Sequence, residues 1–574
     1  MHIKFVGNSK NISQISDQDF FKSVVNSLQR WKYASGQVLN FDFWGGSIDS
    51  IYPANSELNG ISSIYFASHG EAQRSPLHLS PNVLGLTQVW YDTHTGEIME
   101  TDIVLNDLDF DFTLNPKDTS GYGSSYGNQF SGIKSKVFVE NVITHELGHA
   151  FGLSHSGGLQ STMLFMESPE QAYLGCDELT AVHAIYPFAE DSSLRGSLEG
   201  KVKNDKGQPV FGAHVLAVSQ KRGTVLATAL TDQNGNYLIS ALEPGDYFIM
   251  VEPFFAGAST LPSYFSGIKS EICEENKLFN RNFLLSDSTN HLKKITVKGN
   301  EAGLSTLAPD VIVFCSPQLG TFAWPVESHS SIENAPSLFS KDSPSPSESF
   351  GWVDRLSLDP SESPRNNTRF YQLGNLEGSL NIHVLSYTLY SPLHSSLSLV
   401  NSLGEPLSTG IEIQDQVYEG SSGFINYDTS LKASKLEKGN YYLKLNFYPL
   451  ESHLYPAGPV SIDSSPFILI TGSLNDSAPA LKNSIPDNPR CRLDESQFSN
   501  YVSPPDGPPP IQVQSQNRKS DFGIGFCARI KNNSTPSPPS SNQAILSWFL
   551  PWMFIFLTLL YYKCLNLASQ PAGR

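Results

Sequence analysis

The eleven residues HELGHAFGLSH, from His145 to His155, constrain the fold of this chain more than any other stretch. The run that leads into them, VFVENVITHELGHAFGL, carries apolar residues at steps of three and four, which predicts a helix. On that helix His145 and His149 lie one turn apart and share a face. Gly152 can take the left-handed conformation that ends a helix, so the chain can turn back and bring His155 to the same point.

Three neutral imidazoles can hold a zinc ion and leave its fourth position to water, which is the open arrangement of a catalytic site. Zinc lowers the pKa of that water, and Glu146 is placed to take its proton as the general base. A structural zinc site is the alternative, but such a site usually has four protein ligands and favours cysteine. No cysteine lies between His145 and Cys176. The sequence therefore predicts a catalytic zinc site.

The pattern H-E-x-x-H-x-x-G-x-x-H resembles the signature of the metzincin zinc proteases, which carry a methionine turn shortly downstream. Met163 follows eight residues after His155, and Ser156 directly after the third histidine is similar to the matrixin branch. The resemblance implies an α+β metzincin (zincin-like) catalytic domain over residues 1–190 that hydrolyses peptide bonds. It implies zinc held by His145, His149 and His155, with Glu146 catalytic and Met163 and Gly152 supporting the site.

Other segments of the same region extend the resemblance. The segment MHIKFVGNSKN resembles a first strand, and the apolar stripe of FFKSVVNSLQRW predicts a helix at about residues 17–34. CDELTAVHAIYP, residues 176–187, resembles the last helix of a matrixin domain. TGEIMETDIVLND resembles the matrixin edge strand, along which an extended substrate pairs through its backbone.

Animal matrixins also carry a second, structural zinc and calcium ions. The candidate ligands here are His69, His78, His94, Asp107, Asp109 and Asp111. Their spacing matches no ligand pattern, so ordinary surface positions are the favoured interpretation. Calcium (Ca2+) is therefore a possible cofactor without a clear motif, whereas catalytic zinc (Zn2+) is the predicted one.

The remaining chain predicts a multidomain protein in which β-sandwich domains follow the catalytic domain. Residues 196–253 resemble the carboxypeptidase regulatory-like domain, a transthyretin-like β-sandwich, with its T-D-x-x-G-x-Y pattern from Thr231 to Tyr237. This implies a role in support or adhesion. Residues 254–349 are an uncharacterised β-rich region and linker. Residues 350–475 resemble the bacterial pre-peptidase C-terminal domain, another β-sandwich.

The C-terminal part predicts a stalk and an anchor. Residues 476–543 are rich in Pro, Ser and Asn, which favours a flexible stalk. Residues 544–562 hold no charge and are long enough for a single transmembrane helix, retained as an anchor or removed as part of a sorting tail. Cys491 and Cys527 flank one Pro-rich stretch and could pair, whereas the scattered Cys176, Cys273 and Cys315 are compatible with free, buried thiols.

The expected location is the membrane, with the catalytic domain extracellular or periplasmic. The N-terminal residues have no long apolar core, so no signal peptide is present in this sequence. Two interpretations stay open: a true start that lies upstream, which we favour, or a tail-anchored protein that faces the cytosol. The net charge of −18 argues against nucleic acid as a partner.

These patterns support two hypotheses about function. The first is a surface-tethered zinc endopeptidase that acts on protein or peptide substrates, either generally or only on its own chain or a co-exported partner. The second is a surface adhesin or scaffold with an unused protease fold, since β-modules and stalk make up most of the length. Glu146 argues against the second, because an idle site has no physical need for a base there.

Overall fold

The structure is a computed structural model. It describes residues 2–8, 14–45, 58, 60, 62–67, 83–92, 94–118, 136–158, 160–164, 171–187, 194–253, 278–279, 281–286, 290–299, 305–316, 329–339, 349–355, 367–389, 391, 393–414, 417–419, 424–449, 467–475, 491–498 and 521–524.

The first unit combines a twisted sheet with helices packed against it. Its elements are β1 (His2–Asn8), α1 (Asp17–Ala34), β2 (Asn40–Gly45), β3 (Ser62–Phe66), β4 (Gly85–Tyr91), β5 (Ile98–Leu105), β6 (Asp111–Thr113), β7 (Lys136–Phe138), α2 (Val139–Ala150) and α3 (Cys176–Ile185). The sheet has the order β2-β1-β3-β5-β4, and β6 pairs with β7 separately. Only β4 runs antiparallel to its neighbour among these five strands, the other pairings being parallel.

Helix α1 shows why the local sequence folds as it does. The Ser16 hydroxyl accepts the N–H of Asp19 at 3.2 Å and so satisfies one of the free donors at the helix start. Phe20, Val24 and Leu28 recur every fourth residue and are buried. The helix predicted at residues 17–34 is confirmed, as are the first strand and the helices at the HELGH motif and after Cys176.

The second unit consists of a five-stranded sheet, a four-stranded sheet and a separate two-stranded sheet. Its strands are β8 (Gly196–Asn204), β9 (Ala213–Ser219), β10 (Thr224–Leu230), β11 (Asn236–Leu242), β12 (Gly245–Pro253), β13 (Leu278–Phe279), β14 (Asn282–Phe283), β15 (Ile295–Val297), β16 (Thr306–Leu307), β17 (Val311–Val313) and β18 (Cys315–Ser316). β14 and β15 pair with β12, and β16 and β17 pair with β8. The predicted boundary at residue 253 thus lies inside these sheets, because strands from residues 282–313 complete them.

The third unit is built around two long strands. Its strands are β19 (Phe350–Arg355), β20 (Thr368–Leu385), β21 (Leu393–Asn401), β22 (Ile411–Gln414), β23 (Val417–Glu419), β24 (Phe424–Asn426), β25 (Thr429–Pro449) and β26 (Phe467–Leu474). Six of them form a single sheet in the order β19-β26-β20-β25-β21, with β22 also on β25. The register of β20 shifts at Gly374 and Gly378, both at positive φ, which lets this long strand bend.

The C-terminal region departs from the prediction of a flexible stalk. Residues 491–498 pack on the first unit, and β27 (Asp521–Ile524) pairs with β4 as a sixth strand of its sheet. Composition identified the Pro- and Ser-rich stretches but missed these two short segments, because neither has a pattern long enough to stand out. The rest of the predicted stalk lies outside the described residues.

The cysteines also pair differently from the prediction. Cys176 and Cys491 form a disulfide across 315 residues of sequence, and Cys315 is disulfide-bonded as well. The predicted Cys491–Cys527 pair and the free thiols at Cys176 and Cys315 are therefore wrong. Spacing along the chain could not show this, because tertiary packing brings the start of α3 and the segment around Cys491 together.

Among the described residues, no helix is both long and apolar enough to cross a membrane. The transmembrane helix predicted at residues 544–562 lies outside the described residues and stays a prediction.

Candidate metal centre and active site

The HELGH motif lies on α2, a helix whose twelve residues are all buried. The indole N–H of Trp31 on α1 donates to the carbonyl oxygen of Thr144 at 3.0 Å and fixes the two helices together. α2 ends at Ala150, and Gly152 follows with a φ of +90°. That conformation suits glycine and reverses the chain, as the sequence predicted.

The reversal brings His155 to the two helical histidines. The ring centroids of the three imidazoles lie 4.7–5.2 Å apart, and one nitrogen from each lies within 4.8 Å of the others. The Nε2 atoms of His149 and His155 are 3.2 Å apart. Two nitrogens bound tetrahedrally to one zinc at about 2.0–2.1 Å lie roughly 3.3 Å apart, so this spacing fits a shared ion.

Backbone carbonyl groups orient two of the imidazoles. Nδ1 of His145 lies 2.8 Å from the carbonyl oxygen of Thr162, and Nδ1 of His149 lies 2.8 Å from that of Leu153. A carbonyl only accepts, so each Nδ1 carries the proton and donates it. Nε2 of both rings then keeps its lone pair for a metal, which is the usual outer-shell arrangement of metal-binding histidines.

Burial also keeps the histidines neutral. It lowers the pKa of His145 to about 4 and, together with the neighbouring His145, that of His149 to about 3. The pKa of His155 is lowered well below its ordinary value for the same reason, with both other histidines adding to the effect. Imidazoles must be deprotonated to bind a metal, so the donor set is ready near neutral pH. Three neutral imidazole nitrogens suit zinc.

Glu146 lies beside the histidine cluster and against β4. The Thr87 hydroxyl, on β4, donates to Glu146 Oε2 at 2.6 Å. A Cβ atom at Gly85 would lie only 2.8 Å from Glu146 Oε1, so the strand approaches the carboxylate closely because Gly85 has no side chain. Burial raises the pKa of Glu146 to about 7, while the Thr87 hydrogen bond opposes that rise. The sequence did not predict the roles of Gly85 and Thr87, because nothing in the segment GLT (residues 85–87) indicates a contact with a distant helix.

Met163 packs against α2, the helix that carries His145 and His149. Its backbone N–H lies 2.9 Å from Glu178 Oε1, on α3, and its carbonyl oxygen accepts the N–H of Ser156 at 2.9 Å. Its side chain is buried against Gly148, which lies between the two helical ligands. A Cβ at Gly148 would lie 2.2 Å from Met163 Sδ and 3.0 Å from Trp31 Cζ2.

We therefore expect Gly148→Ala to destabilise the protein by about 1–3 kcal/mol, because the added methyl group overpacks the core. Elsewhere in a helix the same change would stabilise by roughly 1 kcal/mol, so the sign itself is informative. Urea unfolding of the two proteins measures the effect. Gly245→Ala is the matched control, since nothing lies within 4 Å of a Cβ there. A stabilised Gly148→Ala protein would contradict the close packing of Met163.

The edge strand of the first unit is not the one predicted. TGEIMETDIVLND forms β5, which lies between β3 and β4. β4 is the outer strand of this unit and the one that contacts Glu146, so the resemblance placed the edge one strand too far along the chain. Local resemblance could not show this, because the order of strands in a sheet is set by pairing between segments that are distant in sequence.

The second and third units close around the loop that follows His155. A Cβ at Gly157 would lie 2.7 Å from Cε1 of His214, on β9. The Thr228 N–H, on β10, donates to Asp177 Oδ1 at 2.8 Å, and the Gln160 amide donates to the Thr388 hydroxyl at 2.8 Å. The β-units thus support this side of the site, which no sequence pattern predicted.

The other candidate metal ligands do not join a cluster in the described part of the chain. There, His145, His149 and His155 are the group of histidine, cysteine or acidic side chains placed to hold an ion. The side chain of His94 is 87% exposed, and Asp109 accepts from the Asn106 amide at 3.0 Å. His69 and His78 lie outside the described residues.

Two protein-family models match the chain. The matrixin model matches residues 14–187, and the carboxypeptidase regulatory-like domain model matches residues 197–258. The protein is thus multidomain, with a matrixin domain followed by β-rich units. The pre-peptidase C-terminal domain expected at residues 350–475 is not shown by these matches. No curated protein sequence matches the chain significantly.

Solved structures with some likeness include the major pilin subunit BcpA of Bacillus cereus, at 12% identity over 45% of this chain and 59% of that one, with a TM-score of 0.13. A DUF3823 family protein from Bacteroides ovatus is 13% identical over 45% of this chain and 83% of that one, also at 0.13. The major pilin SpaD from Corynebacterium diphtheriae is 9% identical over 45% of this chain and 56% of that one, with a TM-score of 0.12. TM-scores this low define neither the fold nor the function of the chain. The chain covers less than two thirds of either pilin.

Proposed function

We propose that the protein is a zinc-dependent endopeptidase that hydrolyses peptide bonds of protein substrates. The convergence of three imidazole nitrogens, two of them oriented through Nδ1 by backbone carbonyls, carries the proposal. The matrixin match at residues 14–187 supports it, since matrixins bind zinc.

The residues divide the chemistry between them. His145, His149 and His155 would hold zinc, which when bound polarises a carbonyl and acidifies water. Thr87 engages one oxygen of Glu146, so the other is left for proton transfer. Glu146 would accept a proton from the attacking water and pass it to the leaving amine. Met163 fills the space under the ligands and keeps the helix in place.

The proposed location is outside the cell or at its surface. The Cys176–Cys491 disulfide supports an oxidising compartment, since such bonds are rare in the reducing cytosol. Anchoring through residues 544–562 remains part of the proposal.

Replacing Glu146 with Gln tests the proposed function directly. We expect both full-length proteins to bind one zinc per chain and the variant to cleave a mixed peptide library about 10²–10⁴-fold more slowly, the usual contribution of a general base. Metal analysis and mass spectrometry of the library measure the two properties. Glu97→Gln, on an exposed turn, is the matched control and should cleave like the native protein.

Other results would point elsewhere. Bound zinc without cleavage by either protein would favour the adhesin or scaffold hypothesis. Absence of zinc binding by the native protein would reject the proposed site. Equal cleavage by the native protein and Glu146→Gln would reject the role of Glu146.

A further inference from the structure

The outer edge of β4 is covered by a strand from the far end of the chain. β27 pairs antiparallel with β4, with Asp521 opposite Tyr91 and Ile524 opposite Gln88. Gln88 is the neighbour of Thr87, whose hydroxyl donates to Glu146. The backbone groups that β27 uses therefore adjoin the proposed active site.

A separate segment ties the C-terminal region to the same unit. Cys491 is joined to Cys176, and Nε of Arg30 lies 2.7 Å from Glu495 Oε1. The ring of Phe498 stacks on Tyr33 with 4.8 Å between centroids. Residues 499–520 connect this fixed segment to β27. Such a tether makes pairing with β4 intramolecular, at an effective concentration of about millimolar.

An outer strand offers one row of N–H and C=O groups, which extended peptides use by adding a strand. A substrate lying along β4 toward Glu146 needs the row that β27 occupies, so the two exclude each other. We propose that β27 is a built-in competitor that holds the β4 edge against peptide substrates. This inference rests on the proposed endopeptidase function and assigns residues 521–524 a role in its regulation.

Proline substitution in β27 tests the competitor in the full-length protein. Successive residues of an antiparallel strand alternate in the direction of their N–H groups. The double variant Phe522→Pro, Gly523→Pro therefore removes a donor to β4 whichever residue supplies it. The matched control, Gln514→Pro with Ser515→Pro, changes the same C-terminal region outside β27.

Two measurements are made on the zinc-loaded proteins: hydrogen exchange of the β4 amides and cleavage of the peptide library. We expect faster exchange at those amides of Gln88–Tyr91 that point to β27 rather than to β5. We also expect cleavage about tenfold faster in the β27 variant, because it loses a competitor held at about millimolar concentration. The control should match the native protein in both. A synthetic peptide of residues 519–526 should slow the variant again.

The outcomes separate the competitor from the enzyme itself. Faster β4 exchange with cleavage equal to that of the native protein would overturn the competitor and leave the endopeptidase intact. Unchanged exchange of the β4 amides would show that β27 does not cover β4, and would also overturn the proposal that β27 is a competitor. Zinc binding without cleavage by any of the proteins would reject the proposed function, and the competitor role with it.

Discussion

Replacing His149 with Ala is expected to weaken zinc binding by about 10²–10³-fold and to remove cleavage at submicromolar free zinc. Zinc sites with four ligands bind with about 10–16 kcal/mol, which is roughly 2.5–4 kcal/mol for each ligand. Each tenfold change in affinity corresponds to about 1.4 kcal/mol, so loss of one ligand weakens zinc binding by about 10²–10³-fold. His149 is the best choice because its Nε2 lies 3.2 Å from that of His155 and its Nδ1 is already fixed by Leu153.

Equilibrium dialysis against buffered zinc measures the affinity, and thermal unfolding with and without zinc provides a second reading. Zinc should raise the melting temperature of the native protein but barely that of the variant, because only bound ligand stabilises the folded state. His94→Gln is the matched control, since that side chain is exposed and lies outside the cluster. Native-like zinc affinity in His149→Ala would remove this histidine from the site.

Loss of the Cys176–Cys491 disulfide is expected to have the largest effect on stability. The double variant Cys176→Ser, Cys491→Ser should unfold with about 2–5 kcal/mol less free energy, the usual range for a native disulfide. The bond closes a 315-residue loop, and both cysteines are buried in the core shared by the first and second units. Its removal enlarges the unfolded ensemble and leaves two hydroxyl groups in an apolar setting.

Differential scanning calorimetry measures this change as a melting temperature lower by about 5–15 °C. Treating the native protein with a reductant should lower the melting temperature at least as much, because it also breaks the disulfide of Cys315. Cys564→Ser is the matched control, because Cys564 takes no part in this bond and the variant should melt like the native protein. If the double variant melted at the native temperature, the disulfide would have no role in holding the C-terminal segment.

The helices show how far local sequence reaches. Apolar residues spaced three and four positions apart predicted α1 and α2, because burial of one helical face depends on neighbours only a turn away. The same periodicity placed His145 and His149 on one face, and Gly152 supplied the reversal that carries His155 to them. The candidate zinc site could therefore be predicted almost completely within eleven residues.

The surroundings of that site could not be predicted in this way. The contact of Thr87 with Glu146 and the packing of Met163 on Gly148 join residues that are distant in sequence. The same is true of the strands between residues 282 and 313 that complete the second unit. Strand partners are selected by long-range hydrogen bonds and shared burial, which leave no periodic mark in either segment.

By itself, the sequence determined the helix that carries His145, Glu146 and His149 and the reversal that brings His155 to them, because both depend on spacing along one turn and one reversal. Only the tertiary structure decided that β4 rather than β5 is the outer strand, and that residues 521–524 lie on it. It also decided that Cys176 forms a disulfide with Cys491. Each of these is a contact between distant segments, set by which surfaces the folded chain brings together.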